Sequence, residues 1–371
     1  MENLVSKNLF QGVYKGKRVF LTGHTGFKGS WLALWLRSMG AEVCGYALAP
    51  NTNPSHFELI KPDIASVYGD IRNRDGLNKV MQDFRPEIVF HLAAQPLVRY
   101  SYENPVETYE TNVIGTLNVF EACRQTDSVR AIINVTSDKC YENKEWIWGY
   151  RENDPMGGYD PYSSSKGCSE LLTSSYRNSY FNLAEYGNKH NTLLASCRAG
   201  NVIGGGDWAQ DRLITDIMIA ASRGETVKIR NPYATRPWQH VLEPLSGYLN
   251  IGQMLLEGKK EFSEGWNFGP TDEGNITVGE VVKKIKESWD KLDYEIEKSD
   301  NNPHEAKFLK LDCSKAAYML KWKNVWNFTN TFKVTVEWYK EFYTNNDILT
   351  YRQLNKYIVD AACKNMLWAI K

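Results

Sequence analysis

The sequence predicts an α/β fold: a doubly wound parallel sheet followed by a smaller C-terminal part. Three observations carry this prediction. Strand-like and helix-like segments alternate through residues 1–200. The strands among them are short and rich in β-branched residues, as strands covered on both faces are. The first strand runs directly into a glycine turn and a helix, through Leu21-Thr22-Gly23-His24-Thr25-Gly26-Phe27-Lys28-Gly29. Repeated βα units of this kind assemble into a parallel sheet, because each helix returns the chain to the starting edge.

The elements follow in order. The first strand spans 17–22 and its helix 28–39, which ends at Gly40 because glycine accepts the left-handed closing conformation. A second strand lies at 42–46 and a short extended piece at 67–70. A helix over 76–84 is closed by Arg85-Pro86. Residues 88–92 read as a buried strand, 105–124 as a long helix and 130–136 as the next strand. Residues 161–180 read as a helix with proline in its first turn, and 192–198 as a strand. After Arg198 the texture changes. Residues 201–211 are glycine-rich, and helices and short strands then mix with Trp, Tyr and Pro. The predicted division is a Rossmann-like nucleotide-binding domain over 1–200 and a substrate-binding part over 201–371. The boundary is soft, since such parts often return a strand or helix to the main sheet. Residues 349–370 read as a terminal helix docked on the body.

Composition sets the limits. The chain has 371 residues and equal numbers, 44 each, of basic and acidic side chains. That balance gives no basic face for nucleic acid. Aromatics make up 13% with 12 tryptophans, which argues against disorder and offers stacking surfaces for a planar ligand. The seven cysteines are scattered without C-x-x-C spacing, as free thiols in a reducing compartment are. The six histidines form no ligand pair, so no metal site is expected. The first residues lack a signal-peptide core, and no apolar run is long enough to span a membrane. A soluble, cytoplasmic protein is the expectation.

The glycine turn carries the first chemistry. Gly23 lets the chain leave the strand sharply. Gly26 lets backbone approach a pyrophosphate, and Gly29 lets the helix pack closely on the strand. The free N–H groups and positive end of the helix then face the phosphates. Thr25 and Phe27 lie on the same turn. His24 either touches those phosphates or only caps the turn.

Three further features join it. Tyr162 and Lys166 stand at i and i+4 on one helix face, where a nearby ammonium favours a tyrosinate able to take a proton from a sugar hydroxyl. Tyr294–Lys298 matches the same spacing, but in a charged segment that reads as a solvated helix face. Ser137-Asp138-Lys139 follows an apolar strand abruptly, at the carboxyl edge where doubly wound sheets bind ligands. Ser137 suits a substrate hydroxyl, with Asp138 and Lys139 beside it as proton donor and acceptor; the bland alternative is a polar turn. Asn112, on the long helix, either ties that helix to a neighbouring strand or joins a proton relay with Ser137, Tyr162 and Lys166.

With these residues in hand, the chain resembles the extended short-chain dehydrogenase/reductases. The T-G-x-x-G-x-x-G loop, Gly69-Asp70, His91-Leu92-Ala93-Ala94, Asn112, Ser137, Tyr162 and Lys166 occur in the family order. Ser137-Asp138-Lys139-Cys140-Tyr141, Arg198-Ala199-Gly200-Asn201-Val202-Ile203-Gly204-Gly205-Gly206-Asp207-Trp208 and Arg236-Pro237-Trp238-Gln239-His240-Val241 look like the branch of nucleotide-sugar 4,6-dehydratases that acts on CDP-glucose. The resemblance implies a bound NAD, reduced and reoxidised within one turnover. It implies cofactor contacts from Gly23, His24, Thr25, Gly26, Phe27, Gly29, Asp70, Ile71, Leu92, Ala93, Ala94, Tyr162 and Lys166. It implies that Tyr162 deprotonates the glucose 4-hydroxyl, and that Asp138 protonates the departing 6-hydroxyl. Asn201 and Arg236 would hold the diphosphate, Arg236 by a two-pronged grip, with Arg212 and His240 as further substrate contacts. It also implies a homodimer or homotetramer. Related dehydratases often carry an Asp-Glu pair where this chain has Asp138-Lys139, which leaves open which group takes the C5 proton. No acid ends the second strand near Gly45-Tyr46-Ala47-Leu48 to hold a ribose, so NAD over NADP rests on the resemblance. The rival readings are another nucleotide-sugar dehydratase, a 4-epimerase, or a nonenzymatic redox sensor that binds dinucleotide. An epimerase needs no acid at C6, and a sensor needs neither Tyr162 nor Lys166.

Overall fold

The computed structural model describes residues 6–210, 212–229, 232, 235–270, 275–296 and 308–370. Its strands are β1 Arg18–Thr22, β2 Glu42–Ala47, β3 Ala65–Tyr68, β4 Ile88–His91, β5 Ala131–Val135, β6 Leu193–Ala199, β7 Val202–Ile203, β8 Thr226–Ile229, β9 Thr235–Pro237, β10 Gln239–His240, β11 Gly265–Phe268, β12 Asn275–Thr277 and β13 Asp293–Ile296. Its α-helices are α1 Phe27–Ser38, α2 His56–Ile60, α3 Arg74–Phe84, α4 Val98–Glu103, α5 Pro105–Tyr109, α6 Gly115–Arg124, α7 Pro161–Asn178, α8 Leu213–Arg223, α9 Leu242–Leu256, α10 Val278–Ser288, α11 Ser314–Met319, α12 Phe328–Asn345 and α13 Thr350–Cys363.

Seven strands make one parallel sheet in the order β11-β6-β5-β4-β1-β2-β3. The chain runs outward from β1 to β3, then crosses back to lay β4 on the other side of β1. That reversal opens a crevice beyond the carboxyl ends of β1 and β4. β4 and β5 are buried throughout, and β1 at all but its first residue, because helices cover both faces. Their sequences are accordingly near-continuous apolar runs.

Three differences from the sequence expectation have physical causes. The helix expected over 105–124 is α5, one π-helical turn at Glu110–Ile114, and α6. The π turn buries only Asn112, and apolar periodicity cannot register such a local change of pitch. The short helices α2 and α4 are also new, since five or six residues are too few to show a period. Tyr294 lies on strand β13, paired with β8, not on a solvated helix; Lys298 lies outside the described residues.

The second half does not stand apart from the first. β11 extends the main sheet beside β6. α9 packs on that sheet through Leu242, Leu245, Tyr248 and Leu249, and α13 joins the same core through Leu354 and Tyr357. A separate core gathers Ile217 and Met218 of α8, Val281 and Ile285 of α10, and Trp338 of α12. The segment 242–268 thus adds one more unit to the sheet after the smaller body has begun. The tryptophans are mostly interior: Trp31, Trp35, Trp266, Trp322 and Trp338 are fully buried. A large ring covers about 150–250 Å², so its first use here is filling the cores rather than stacking on a ligand. All seven cysteines are free thiols. Among the described residues no helix is long and apolar enough to cross a membrane.

Candidate active site

The glycine turn is built by steric necessity. Gly23 has φ +76°, and a Cβ there would stand 2.7 Å from the Ala93 nitrogen. A Cβ on Gly29 would stand 2.0 Å from the Gly23 oxygen. Gly26 caps α1 with no side-chain bond to its free N–H groups, and a Cβ there would meet only the Gly23 oxygen, at 3.4 Å. An open, uncapped helix start therefore faces the crevice, which suits an anion. Opposite it, the Leu92 and Ala93 N–H groups donate to Thr22 Oγ1, at 3.1 and 3.2 Å. That ties the β4 exit to the β1 exit.

His24 points elsewhere. Its Nε2 lies 2.7 Å from Ser66 Oγ and its ring lies edge-on to Phe57. Gly45 leaves the space the ring fills. Burial pulls its pKa down to about 4, so the side chain supports the turn from the β2–β3 side as a neutral group. Thr25 Oγ1 donates to the Leu48 carbonyl. Asp70 accepts from the Arg72 N–H and guanidinium, and that bond holds its carboxyl below the usual range. Ile71 packs against Gly115 as part of the core.

The chemical centre lies past β5. Ser137 Oγ donates to Asp138 Oδ1 at 3.1 Å and accepts from the Lys139 N–H at 3.2 Å. This caps a 3₁₀ turn over Asp138–Cys140. Asp138 is 5% exposed. Its Oδ2 lies over Gly200, where a Cβ would stand 2.7 Å from it; glycine is what admits the carboxylate. α7 begins at Pro161 with Asp160 as its cap, accepting from the Ser163 N–H at 2.9 Å. That start brings Tyr162 beside Ser137. Burial pushes the Tyr162 pKa up to about 12; Asp138 adds to the rise, while Ser137 and Arg212 oppose it. In the protein's own field Tyr162 is a neutral phenol at pH 7. Lys166 donates to the Val135 carbonyl at 3.4 Å. Burial pulls its pKa down to about 8, with Glu170 opposing.

The structure brings Ser137, Asp138, Tyr162 and Lys166 together and adds residues the sequence reading missed. Lys28, from the glycine turn, lies in the field of Arg212, Lys166, Asp138 and Asp207; burial first, then the two cations, pulls its pKa down to about 8. Its sequence position gives no such signal, because it reads as an ordinary helix-surface lysine. Asp207 pairs with Arg212 at 3.2 Å. Asn201 is half-buried, and its carbonyl accepts from the Gln239 N–H. Arg236 sits on β9 opposite Ile276; its side chain lies outside the described residues.

Two further candidates are placed as follows. Asn112 is a structural tie: Oδ1 accepts from the Gln95 N–H, and Nδ2 donates to the Gln95 carbonyl and to Ser165 Oγ. Those bonds use both amide hydrogens. His240 lies in the interior. It is 0% exposed, with the rings of Trp31 and Trp326 at 5.9 and 4.8 Å. Burial pulls its pKa down to about 3. Among the described residues no group of three His, Cys, Asp or Glu could hold a metal.

Comparison with known proteins places this geometry. Residues 20–335 match the sequence profile of the family described as GDP-mannose 4,6 dehydratase. A CDP-glucose 4,6-dehydratase of Salmonella typhimurium is 54% identical over 359 residues, 96% of this chain and 99% of the relative. Among solved structures, the UDP-glucose 4-epimerase of Thermotoga maritima with UDP-glucose superposes with TM-score 0.74 at 22% identity, covering 87% of this chain and 99% of the other. The dTDP-glucose 4,6-dehydratase of Bacillus anthracis in complex with NAD gives TM-score 0.70 at 20% identity, covering 88% and 97%. The two structural likenesses are likenesses of fold.

Proposed function

The chain belongs to the GDP-mannose 4,6-dehydratase family, and from that premise we propose that it is a CDP-glucose 4,6-dehydratase. It converts CDP-D-glucose to the CDP-4-keto-6-deoxy sugar and water. The observation that carries the substrate is the 54% identity to the Salmonella typhimurium CDP-glucose enzyme across 96% of the chain.

The crevice fits a dinucleotide: the uncapped α1 start and the open face of Gly26 form a cradle for a pyrophosphate. NAD, when bound, would supply the hydride acceptor and donor, and its positive nicotinamide would favour tyrosinate. Gly23, Thr25, Gly26, Phe27 and Gly29 would hold its phosphates, with Leu92, Ala93 and Ala94 along the β4 side and Asp70 toward the adenosine.

The remaining chemistry belongs to side chains. Ser137 and Tyr162, side by side, receive the glucose 4-hydroxyl, and Tyr162 takes its proton as C4 becomes a ketone. Lys166, at the exit of β5, supplies positive charge beside that centre. The ketone acidifies the C5 proton. Asp138 gives a proton to the 6-hydroxyl, which leaves as water once C5 has lost its own proton. The enone would then accept hydride at C6 and a proton at C5. Arg212, Arg236 and Asn201 hold the substrate diphosphate, and Lys28 contributes positive charge from the opposite wall.

The test of the substrate is a comparison of CDP-, UDP-, dTDP- and GDP-glucose under one set of conditions. CDP-glucose should show a kcat/KM at least about 10-fold above the others, the low end of what pocket contacts deliver. Equal or better use of another nucleotide would overturn the assignment.

The enzyme works in the cytoplasm, where its free cysteines stay reduced, as a homodimer or homotetramer. Val106, Ile114 and Leu171 are exposed around α5 to α7 and offer apolar surface to a second copy. Light scattering should return two or four chain masses; a single chain mass at micromolar concentration contradicts this.

A further inference from the structure

Beneath the turn that carries Ser137, Asp138 and Lys139 lies a buried ion pair. Arg198 and Glu170 meet at 2.8 Å, with side-chain exposures of 5% and 4%. Glu170 Oε1 accepts from Arg198 Nε and from Thr136 Oγ1, and Oε2 accepts from Arg198 Nη2 and from Ser196 Oγ. Arg198 Nη1 donates to the Tyr141 hydroxyl at 2.5 Å and to the Glu152 carbonyl at 2.9 Å. The guanidinium also lies over the Tyr141 ring. Tyr141 in turn donates to Asn267 Oδ1 on β11.

The placement matters more than the pairing. Burying two charges is costly, and apolar residues of the same volume often serve structure as well. Here each charge holds one flank of the same short turn. Glu170 holds Thr136, immediately before Ser137. Arg198 holds Tyr141, immediately after Cys140. Glu170 also lies one helical turn beyond Lys166, on the same face of α7. The turn between these grips carries the Asp138 carboxylate over Gly200.

We propose that the Glu170–Arg198 pair is a positioning device for the elimination step, clamping residues 136 and 141 so that Asp138 is held where the 6-hydroxyl departs. This rests on the reading of Asp138 as the acid. Glu170 and Arg198 touch neither substrate nor reacting atoms; they act through Thr136 and Tyr141.

Two substitutions remove the grips and leave the pair in place. Tyr141→Phe deletes the hydroxyl that Arg198 holds, and Thr136→Val deletes the one that Glu170 holds. In single turnovers quenched with borodeuteride, both variants should accumulate trapped 4-keto-glucose nucleotide. Elimination should slow about 10- to 100-fold, the scale of an ångström-sized misplacement, with KM and C4 oxidation within about 2-fold of the parent. Thr136→Ser should restore the rate. In an Asp138→Asn background, Tyr141→Phe should add no further loss, because the group it positions is already disabled. Equal slowing of oxidation and elimination, or full additivity with Asp138→Asn, would overturn the proposal and make the pair scaffolding. Full-speed elimination in Tyr141→Phe and Thr136→Val beside a slowed Asp138→Asn would overturn the positioning role alone. Full-speed Asp138→Asn would overturn the acid assignment and this proposal with it.

Discussion

Asp138→Asn should leave oxidation at C4 intact and slow loss of water by about 10² or more, the usual scale for a missing general acid. The substitution keeps the shape of a side chain that is 5% exposed and still lets Ser137 donate to an oxygen. It removes only the transferable proton. Tyr162 is untouched, so the 4-ketone should form at its normal rate and then persist. Single turnovers quenched with borodeuteride and weighed should show that ketone building up before product. Product formation at the parent rate would remove Asp138 from the mechanism.

Tyr162→Phe should stop the reaction one step earlier, lowering C4 oxidation by about 10² to 10⁴, the range for a lost general base. The ring stays and the phosphate cradle is formed by other residues, so binding of NAD measured by calorimetry should stay within about 2-fold of the parent. No 4-ketone should be trapped, which separates this variant from Asp138→Asn. Tyr294→Phe should behave as the parent, because Tyr294 sits on β13 and packs against the second core. Oxidation at the parent rate in Tyr162→Phe would mean that another group is the base.

What the sequence made legible was local. Gly23 and Gly29 announce the turn because each is demanded by a contact a few residues or one strand away, and Gly26 leaves the helix start open. Tyr162 and Lys166 share a face through helix geometry alone, and Ser137-Asp138 stand out because a buried strand ends in polar residues. What stayed hidden depended on distant packing. Arg198 meets Glu170 across α7 and β6, although Glu170 stands four residues beyond Lys166 on the same face and that spacing was a usable signal. Lys28 looks like helix surface until the fold brings Arg212 and Asp207 into its field. Asn112 turned out to be a tie because a π turn buries it. His240 follows a motif that reads as substrate-facing, yet Trp31 and Trp326 enclose it. β11 is four residues long and joins the sheet from far along the chain, which no periodicity reveals.

The fold alone cannot separate a dehydratase from an epimerase or a dehydrogenase, since the same scaffold hosts all three chemistries. The path of one hydrogen does. CDP-glucose carrying deuterium at C4 should give product carrying that deuterium at C6, with catalytic NAD sufficient and no net reduced cofactor released. Run in D₂O with unlabelled substrate, the product should gain solvent deuterium at C5. Return of the C4 label to C4 would make the protein an epimerase, and stoichiometric release of reduced cofactor would make it an ordinary dehydrogenase; either result contradicts the account.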